Sequence, residues 1–125
     1  MEPKKILIIE DEAALLYAFK ARLTVEGLNV LTASTAEEGF EIIKKEKPKL
    51  ILLDLILPQM DGFSLLKKIK ADRNFSQVPV IIISNLSKKE NMEKSLNLGA
   101  QDYIVKSEFN LDTLIAKVKE VADHV

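Results

Sequence analysis

The sequence predicts an α/β fold in which a parallel sheet of five strands is covered by helices on both faces. Short apolar runs alternate with longer segments of helical period along all 125 residues, and this alternation is typical of βα units. The runs are largely continuous rather than apolar at every second position, as expected of strands buried on both faces. Runs two to five end near residues 33, 53, 83 and 105, which leaves room between them for one helix and two turns. We therefore expect five βα units joined by right-handed crossovers.

The predicted strands are short runs rich in isoleucine, leucine and valine. Pro48 and Pro79 lie shortly before the third and fourth of them, where proline biases the preceding residue towards an extended backbone. In chain order, the strands are Ile6–Ile9, Val30–Ala33, Leu50–Leu53, Val80–Ile83 and Tyr103–Val105.

Glycine residues delimit two of the predicted helices. One helix runs from Ala13 to Glu26 and stops at Gly27, and another runs from Lys88 to Leu98 and stops at Gly99. A left-handed backbone is common just after a helix, and glycine adopts it without steric cost.

Capping residues mark the other helices. The second helix runs to about Lys45, and its capping box is formed by Ser34 with Glu37 or by Thr35 with Glu38. Gly39 inside this helix costs about 1 kcal/mol relative to alanine, and the sequence gives no reason for it. A third helix begins near Asp61 and Gly62. Asn110 caps the last helix, whose apolar positions recur at helical spacing from Leu111 to Val125.

Composition excludes several classes of function. The 18 Lys and Arg residues nearly balance the 19 Asp and Glu residues, which argues against direct binding of nucleic acid through phosphate contacts alone. One histidine and no cysteine disfavour zinc sites and Ser-His-Asp catalysis. The run Ile6–Ile9 is too short for a signal peptide or membrane span. We expect a cytoplasmic protein without membrane contact, and a single domain over residues 1–125 with no linker or effector domain in this chain.

Polar residues follow the predicted strands where ligands bind in open parallel sheets, outside the carboxyl ends. The first strand is followed by Glu10, Asp11 and Glu12, and the third by Asp54. Ser84 and Asn85 end the fourth strand, and Lys106 ends the fifth. Carboxylates about 4 Å apart repel one another by several kcal/mol at an effective dielectric constant near 20. A hard divalent cation such as Mg²⁺ offsets that repulsion.

Four segments carry a more specific pattern: Ile8–Glu12, Leu52–Gly62, Val80–Ser84 and Gly99–Lys106. In this order and spacing they resemble the receiver domain of two-component response regulators, the domain of chemotaxis-regulator-like proteins. The resemblance covers essentially the whole chain. It implies a doubly wound (βα)5 flavodoxin-like three-layer sandwich with the parallel strand order 2-1-3-4-5.

The resemblance also implies a phosphorelay switch whose phosphoacceptor is Asp54, with a histidine kinase or phosphotransfer protein as donor. Asp11 and Asp54 would bind Mg²⁺, or Mn²⁺, through their carboxylates. Ile56 would bind it through its backbone carbonyl, and Glu10 through a bound water. Lys106 and the metal would neutralise charge on the transferring group. The protein would then be no enzyme towards other substrates, but would assist its own phosphoryl transfer and dephosphorylation.

A response to phosphorylation is implied in the same way. Ser84 would hydrogen-bond a phosphoryl oxygen, and Tyr103 would rotate inward and reshape the surface of helix four, strand five and helix five. That surface would be read by a downstream protein or by an effector domain missing from this chain. The residues expected to contribute to it are Leu86, Lys88, Lys89, Met92 and Tyr103.

Two residues depart from the family pattern. Ser107 follows Lys106, where the family usually has a proline with a cis peptide bond. A cis bond before a non-proline residue costs about 3 kcal/mol or more, so we predict a trans bond, or a strained cis bond held by its surroundings. Asn85 replaces a smaller residue, and it could crowd the phosphoryl site or hydrogen-bond to it.

Three alternatives remain to be weighed. A phosphatase of the haloacid dehalogenase-like class needs a second aspartate where Ile56 stands. A nucleotide or flavin binder needs a glycine-rich loop after the first strand, where Glu10, Asp11 and Glu12 would repel phosphate. A pseudo-receiver, which binds a protein with little phosphorylation, is disfavoured by Asp54 and Lys106 but kept open by the two departures.

Overall fold

The computed structural model describes residues 2–125 and contains one parallel sheet. Its five strands lie in the order β2-β1-β3-β4-β5, which confirms the predicted strand order. Each strand agrees with its predicted run to within one residue at either end. The strands are β1 (Lys5–Ile9), β2 (Asn29–Ala33), β3 (Leu50–Leu53), β4 (Val80–Ser84) and β5 (Asp102–Val105).

Five helices cover the two faces of the sheet. They are α1 (Ala13–Val25), α2 (Ala36–Glu46), α3 (Gly62–Ala71), α4 (Lys89–Asn97) and α5 (Leu111–Ala122). Apolar residues of α2, α3 and α4 pack on one face, whereas those of α1 and α5 pack on the other. The three-layer sandwich is therefore confirmed. No helix in the described part of the chain is long and apolar enough to cross a bilayer.

Alternate residues of each central strand face opposite helical layers. Leu7 and Ile9 of β1 contribute to the α2–α3 side, whereas Ile6 and Ile8 contribute to the α1–α5 side. All four are buried, which explains why the run is apolar at every position rather than at every second one.

The predicted caps are largely confirmed. Gly27 and Gly99 have φ angles of 87° and 106°. The Thr35 hydroxyl accepts the backbone N–H of Glu38 at 3.1 Å, as in the second of the two proposed capping boxes. The expected extent of the last helix is wrong at its end, because α5 stops at Ala122 and Val125 lies beyond it, 41% exposed.

The structure also gives a reason for Gly39. An added Cβ at this position would lie 2.6 Å from Cδ1 of Ile9 and 2.9 Å from its Cγ1. Helix α2 therefore approaches β1 more closely than any side chain would allow, and this packing offsets the lower helix propensity of glycine.

Candidate functional site

The carboxyl ends of β1, β3 and β5 bring the predicted acidic residues and Lys106 together. Ile9 and Leu53 are paired in the sheet, and Asp54 N–H donates to the Ile9 carbonyl at 3.0 Å. The residues that follow these two strands, Glu10 and Asp54, are therefore neighbours. They are 2% and 5% exposed, so both carboxyl groups lie at the rim of the core, as expected from the apolar strands.

Lys106 is the cation of this cluster. Its ammonium group donates to Glu10 Oε1 and Oε2 at 2.8 and 3.0 Å, and to Asp54 Oδ2 at 2.9 Å. The Glu12 carboxylate lies further away, at 3.7 Å. One ammonium group thus joins two buried carboxyl groups that follow different strands.

Burial and neighbouring charges shift the pKa values of Glu10 and Lys106, the two partners of one ion pair. Burial and the Asp54 carboxyl group raise the pKa of Glu10 to about 7, against the lowering effect of Lys106. Burial acts to lower the pKa of Lys106, but hydrogen bonds to Glu10 and Asp54 outweigh it and raise that pKa above its ordinary value. Lys106 therefore stays charged at neutral pH, whereas Glu10 takes up a proton more readily than an exposed glutamate does.

Three carboxyl groups have the arrangement of a metal site. Glu10, Asp11 and Asp54 each offer an oxygen, and these oxygens lie within 4.8 Å of one another. Oxygen donors are those that Mg²⁺ and Mn²⁺ prefer, and Asp11 is exposed, which leaves room for bound water. The donor set fits a hard divalent cation.

The loop after β3 approaches this cluster closely. The N–H of Ile56 donates to Asp54 Oδ1 at 3.1 Å, and Gly62 N–H donates to the Leu55 carbonyl at 2.8 Å. A Cβ at Gly62 would lie 2.5 Å from Cα of Leu55 and 2.6 Å from the Asp54 carbonyl oxygen. Gly62 therefore allows helix α3 to begin directly against the backbone that carries Asp54.

Ser84 and Tyr103 are linked through the loop after β4. Ser84 is fully buried, and its hydroxyl accepts the N–H of Leu86 at 3.2 Å. The Tyr103 hydroxyl donates to the Leu86 carbonyl at 2.5 Å, so the ring lies in the inward position, 6% exposed. Burial and the nearby Asp54 charge raise the pKa of Tyr103 against the lowering effect of Ser84.

The two departures from the family pattern lie at exposed positions. No cis peptide bond occurs within residues 2–125, so the trans bond predicted between Lys106 and Ser107 is confirmed. A short 3₁₀ helix, Lys106–Glu108, follows β5. Asn85 and Ser107 are both exposed, and Asn85 therefore does not fill the buried part of the site.

Two contributors to this site were named from the sequence but given no role in it. Glu12 lies beside Lys106, and its backbone N–H donates to Glu10 Oε1 at 3.2 Å. Its place next to two acidic residues at a strand end was a usable signal. Gly62 was assigned only to a helix start, and the signal for its close approach was a glycine directly after the capping Asp61.

Comparison with known proteins identifies the family. The family model described as the response regulator receiver domain matches residues 6–119. The probable transcriptional regulator ycf27 of Porphyridium aerugineum is 37% identical over 125 residues, covering 100% of this chain and 50% of that protein. The chain thus spans about half the length of the curated relatives it matches.

Solved structures agree with this match. A CheY-like response regulator receiver domain protein from Methanospirillum hungatei JF-1 has a TM-score of 0.89 and 38% identity, covering 98% of this chain and 95% of that chain. The BeF3-activated N-terminal receiver domain of Klebsiella pneumoniae RstA has a TM-score of 0.85 and 30% identity, covering 94% and 97%. The chain therefore belongs to the response regulator receiver domain family.

Proposed function

We propose that this chain is a phosphoacceptor switch that takes a phosphoryl group from a histidine kinase or a phosphotransfer protein onto Asp54. The observation that carries the proposal is the buried Asp54 carboxylate, which contacts the Lys106 ammonium at 2.9 Å. A carboxylate beside a fixed cation can attack phosphorus while the charge on the transferring group is neutralised. Family membership supports the same function.

The residues around Asp54 suit a divalent cation. Asp11 and Asp54 would hold Mg²⁺ or Mn²⁺ through their carboxylates, Ile56 through its backbone carbonyl, and Glu10 through a bound water. When bound, the cation supplies positive charge against the oxygens of the phosphoryl group. The close packing of Glu10, Asp11 and Asp54 supports this assignment, because one lysine does not balance three carboxylates.

The transfer step forms an acyl phosphate. A carboxylate oxygen of Asp54 attacks the phosphorus of the donor phosphohistidine, the bond from phosphorus to the imidazole nitrogen breaks, and the donor histidine leaves. Lys106 then pairs with a phosphoryl oxygen while keeping its contact with Glu10. Attack of water on phosphorus later releases inorganic phosphate and restores the carboxylate. The protein therefore assists its own phosphorylation and dephosphorylation and acts on no other substrate.

The switch acts through Ser84 and Tyr103. The Ser84 hydroxyl donates to a phosphoryl oxygen, and its movement towards Asp54 pulls on Leu86, which hydrogen-bonds both Ser84 and Tyr103. The surface of α4, β5 and α5 then changes for a downstream protein or an effector domain. The name transcriptional regulator, given to relatives about twice as long as this chain, supports an effector of that kind.

The test is incubation with Mg²⁺ and acetyl phosphate, followed by intact-protein mass spectrometry. We expect the wild type to gain one phosphoryl group and Asp54→Ala to gain none. Beryllofluoride is a suitable phosphoryl mimic in a parallel NMR experiment, since the RstA receiver domain is described as BeF3-activated. Equal labelling of both proteins would contradict the assignment of Asp54, and failure to modify either would favour a protein-binding module without phosphorylation.

Asn85 is proposed to slow phosphoryl exchange with small donors. Asn85 is exposed and follows Ser84 directly, whose hydroxyl would meet the phosphoryl group. We expect Asn85→Ala to accelerate modification by acetyl phosphate. If Asn85→Ala reacted with acetyl phosphate at the same rate as the wild type, Asn85 would not slow the exchange.

A further inference from the structure

A groove between the end of α2 and the loops that follow α2 and α3 lies away from the proposed phosphoacceptor site. It has a volume of about 490 Å³. Lys49 precedes β3, whereas Asp54 follows it, so the groove lies towards the amino ends of the strands, at the opposite edge of the sheet. It is lined by Lys44, Lys47, Lys49, Pro48, Phe75 and Val78, with Asp72 and Asn74.

The charge along one side of this groove is strongly positive. Residues 44–49 contain four lysines and one glutamate, and Glu46 is paired with Lys5. Within residues 2–125, neither Lys47 nor Lys49 forms an ion pair. Both are exposed. Two ammonium groups are therefore available to an anionic partner in a protein whose formal net charge is -1.

Part of the groove lining is apolar, because the buried Phe75 and the half-buried Val78 contribute to it. The rings of Phe75 and Phe40 pack edge to face with centroids 6.3 Å apart. Phe40 itself lies outside the groove lining. The ammonium group of Lys44, which does line the groove, lies 5.2 Å from the centre of the Phe40 ring. Such a groove offers contacts to an apolar side chain as well as to a carboxylate.

We propose that this groove binds an acidic, amphipathic helical segment of a partner protein. Carboxylates of the segment pair with Lys47 and Lys49, and an apolar side chain enters against Phe75 and Val78, as in other helix-in-groove complexes. The apolar side chains of Phe75 and Val78 and the Asp72 carboxylate, which all line the groove, favour a protein segment over a phosphate backbone. The groove shares no residue with α4, β5 or α5, so this partner would be bound independently of the proposed output surface.

The test is a binding titration of the labelled full chain with synthetic peptides, followed by NMR. The probe is a short helical peptide with leucines on one face and glutamates beside them. The comparison probes are a scrambled peptide of the same composition and a duplex DNA oligonucleotide. We expect the amphipathic peptide to bind and to shift the signals of residues in the groove, and we expect the scrambled peptide to bind about tenfold more weakly.

Variants separate the groove from general electrostatic attraction. Lys47→Glu with Lys49→Glu should weaken peptide binding about tenfold or more. The matched control, Lys20→Glu with Lys67→Glu, makes the same charge change at exposed sites outside the groove and should preserve most of the affinity. Asn74→Trp, which fills the groove while keeping every lysine, should also abolish binding.

Four outcomes would overturn the proposal, and the first three come from the comparisons between variants and probes. They are equal loss of affinity in the two double variants, tighter binding of DNA than of the peptide, and shifts confined to the edge that carries Asp54. Lack of binding of every peptide at millimolar concentration would overturn it as well. Because Asp54 takes no part in this binding, Asp54→Ala should bind the peptide as the wild type does, whatever the result of the phosphorylation test.

Discussion

Glu10 and Asp54 share the ammonium group of Lys106, while Asp11 lies beside them with no ion pair in the described residues. Three carboxylates and one ammonium leave a local excess of negative charge. The formal net charge of the whole chain, -1, does not reveal this excess, because lysines elsewhere balance the sum. A divalent cation would correct the local charge, and a phosphoryl group on Asp54 would change it again.

Addition of Mg²⁺ is expected to stabilise the protein. A ligand that binds only the folded state raises the free energy of unfolding by about 1.4 kcal/mol at ten times its dissociation constant. Asp11→Asn should lose most of this increase, whereas Asp123→Asn, a matched change at an exposed position outside the cluster, should keep it. Thermal unfolding with and without Mg²⁺ measures the effect. An unchanged increase in Asp11→Asn would exclude Asp11 as a ligand.

Tyr103→Phe is expected to cost about 1 kcal/mol of folding stability. The substitution removes the hydroxyl that donates to the Leu86 carbonyl in a partly buried hydrogen bond, and loss of a typical hydrogen bond has this magnitude. Tyr17→Phe is the matched control, because Tyr17 is 77% exposed and its substitution should change stability by less than about 0.5 kcal/mol. Urea unfolding gives both values. Equal stabilities of the two variants would show that the Tyr103 hydrogen bond contributes nothing.

At the scale of single elements, turns and helix ends position the residues of the candidate site. The first three residues of the loop after β3 carry the candidate metal ligands Asp54 and Ile56, and Gly62 and Asp61 fix its other end. Thr35 and Asn110 cap their helices through side-chain oxygens. The parallel strands bring the polar groups of the site to one edge of the sheet, and these short segments set the distances between them.

Gly62→Ala should destabilise the protein more than Gly27→Ala. At Gly62, the added methyl group would meet backbone atoms of Asp54 and Leu55 that cannot move aside, so we expect a loss of about 3 kcal/mol. At Gly27, the methyl group would meet nothing within 4 Å, and only its φ of 87° costs about 1 kcal/mol. Chemical unfolding compares the two. The reverse order would contradict the close approach of α3 to the site.

The stabilising effect of Asp61 should depend on pH. Its carboxylate accepts the N–H of Ser64 at 2.8 Å at the start of α3, and this hydrogen bond lowers its pKa below the ordinary value of 3.8. A lowered carboxyl pKa contributes stability above pH 3.8, which is lost as the pH falls through the lower folded value. Asp61→Ala should therefore cost about 1 kcal/mol at neutral pH and less in acid.

The control for this prediction is Asp61→Asn. The amide oxygen can still accept the N–H of Ser64, but it does not titrate. The stability difference between Asp61→Ala and Asp61→Asn should therefore persist when the pH falls. If the cost of Asp61→Ala relative to the wild type were the same at pH 2.5 as at pH 7, the carboxylate would not be the stabilising form.

For the molecule as a whole, the sequence was sufficient to predict the layers, the strand order and the edge of the sheet where polar groups meet. Continuous apolar runs identify buried strands, and parallel strands bring their carboxyl ends to one edge. Asp54, Glu10 and Lys106 therefore meet as expected. The resemblance to a family contributed the strand order, which periodicity alone does not specify.

Other features depend on tertiary packing that periodicity does not report. The fit of Gly39 against Ile9 depends on how closely α2 approaches the sheet. The inward position of Tyr103 depends on a carbonyl 17 residues away, and a strand pattern does not specify a rotamer. The end of α5 at Ala122 was missed because one more apolar residue, Val125, follows it at helical spacing.

The most direct test of the central claim is to locate the phosphoryl group after reaction with acetyl phosphate and Mg²⁺. Borohydride reduces an acyl phosphate and marks the modified residue, and cleavage after Lys49 and Lys67 gives a peptide whose acidic residues are Asp54 and Asp61. We predict that peptide mass spectrometry finds the mark on Asp54 and that omission of Mg²⁺ removes it. A mark on Asp61, on Asp11 or on any other residue in place of Asp54 would contradict the account.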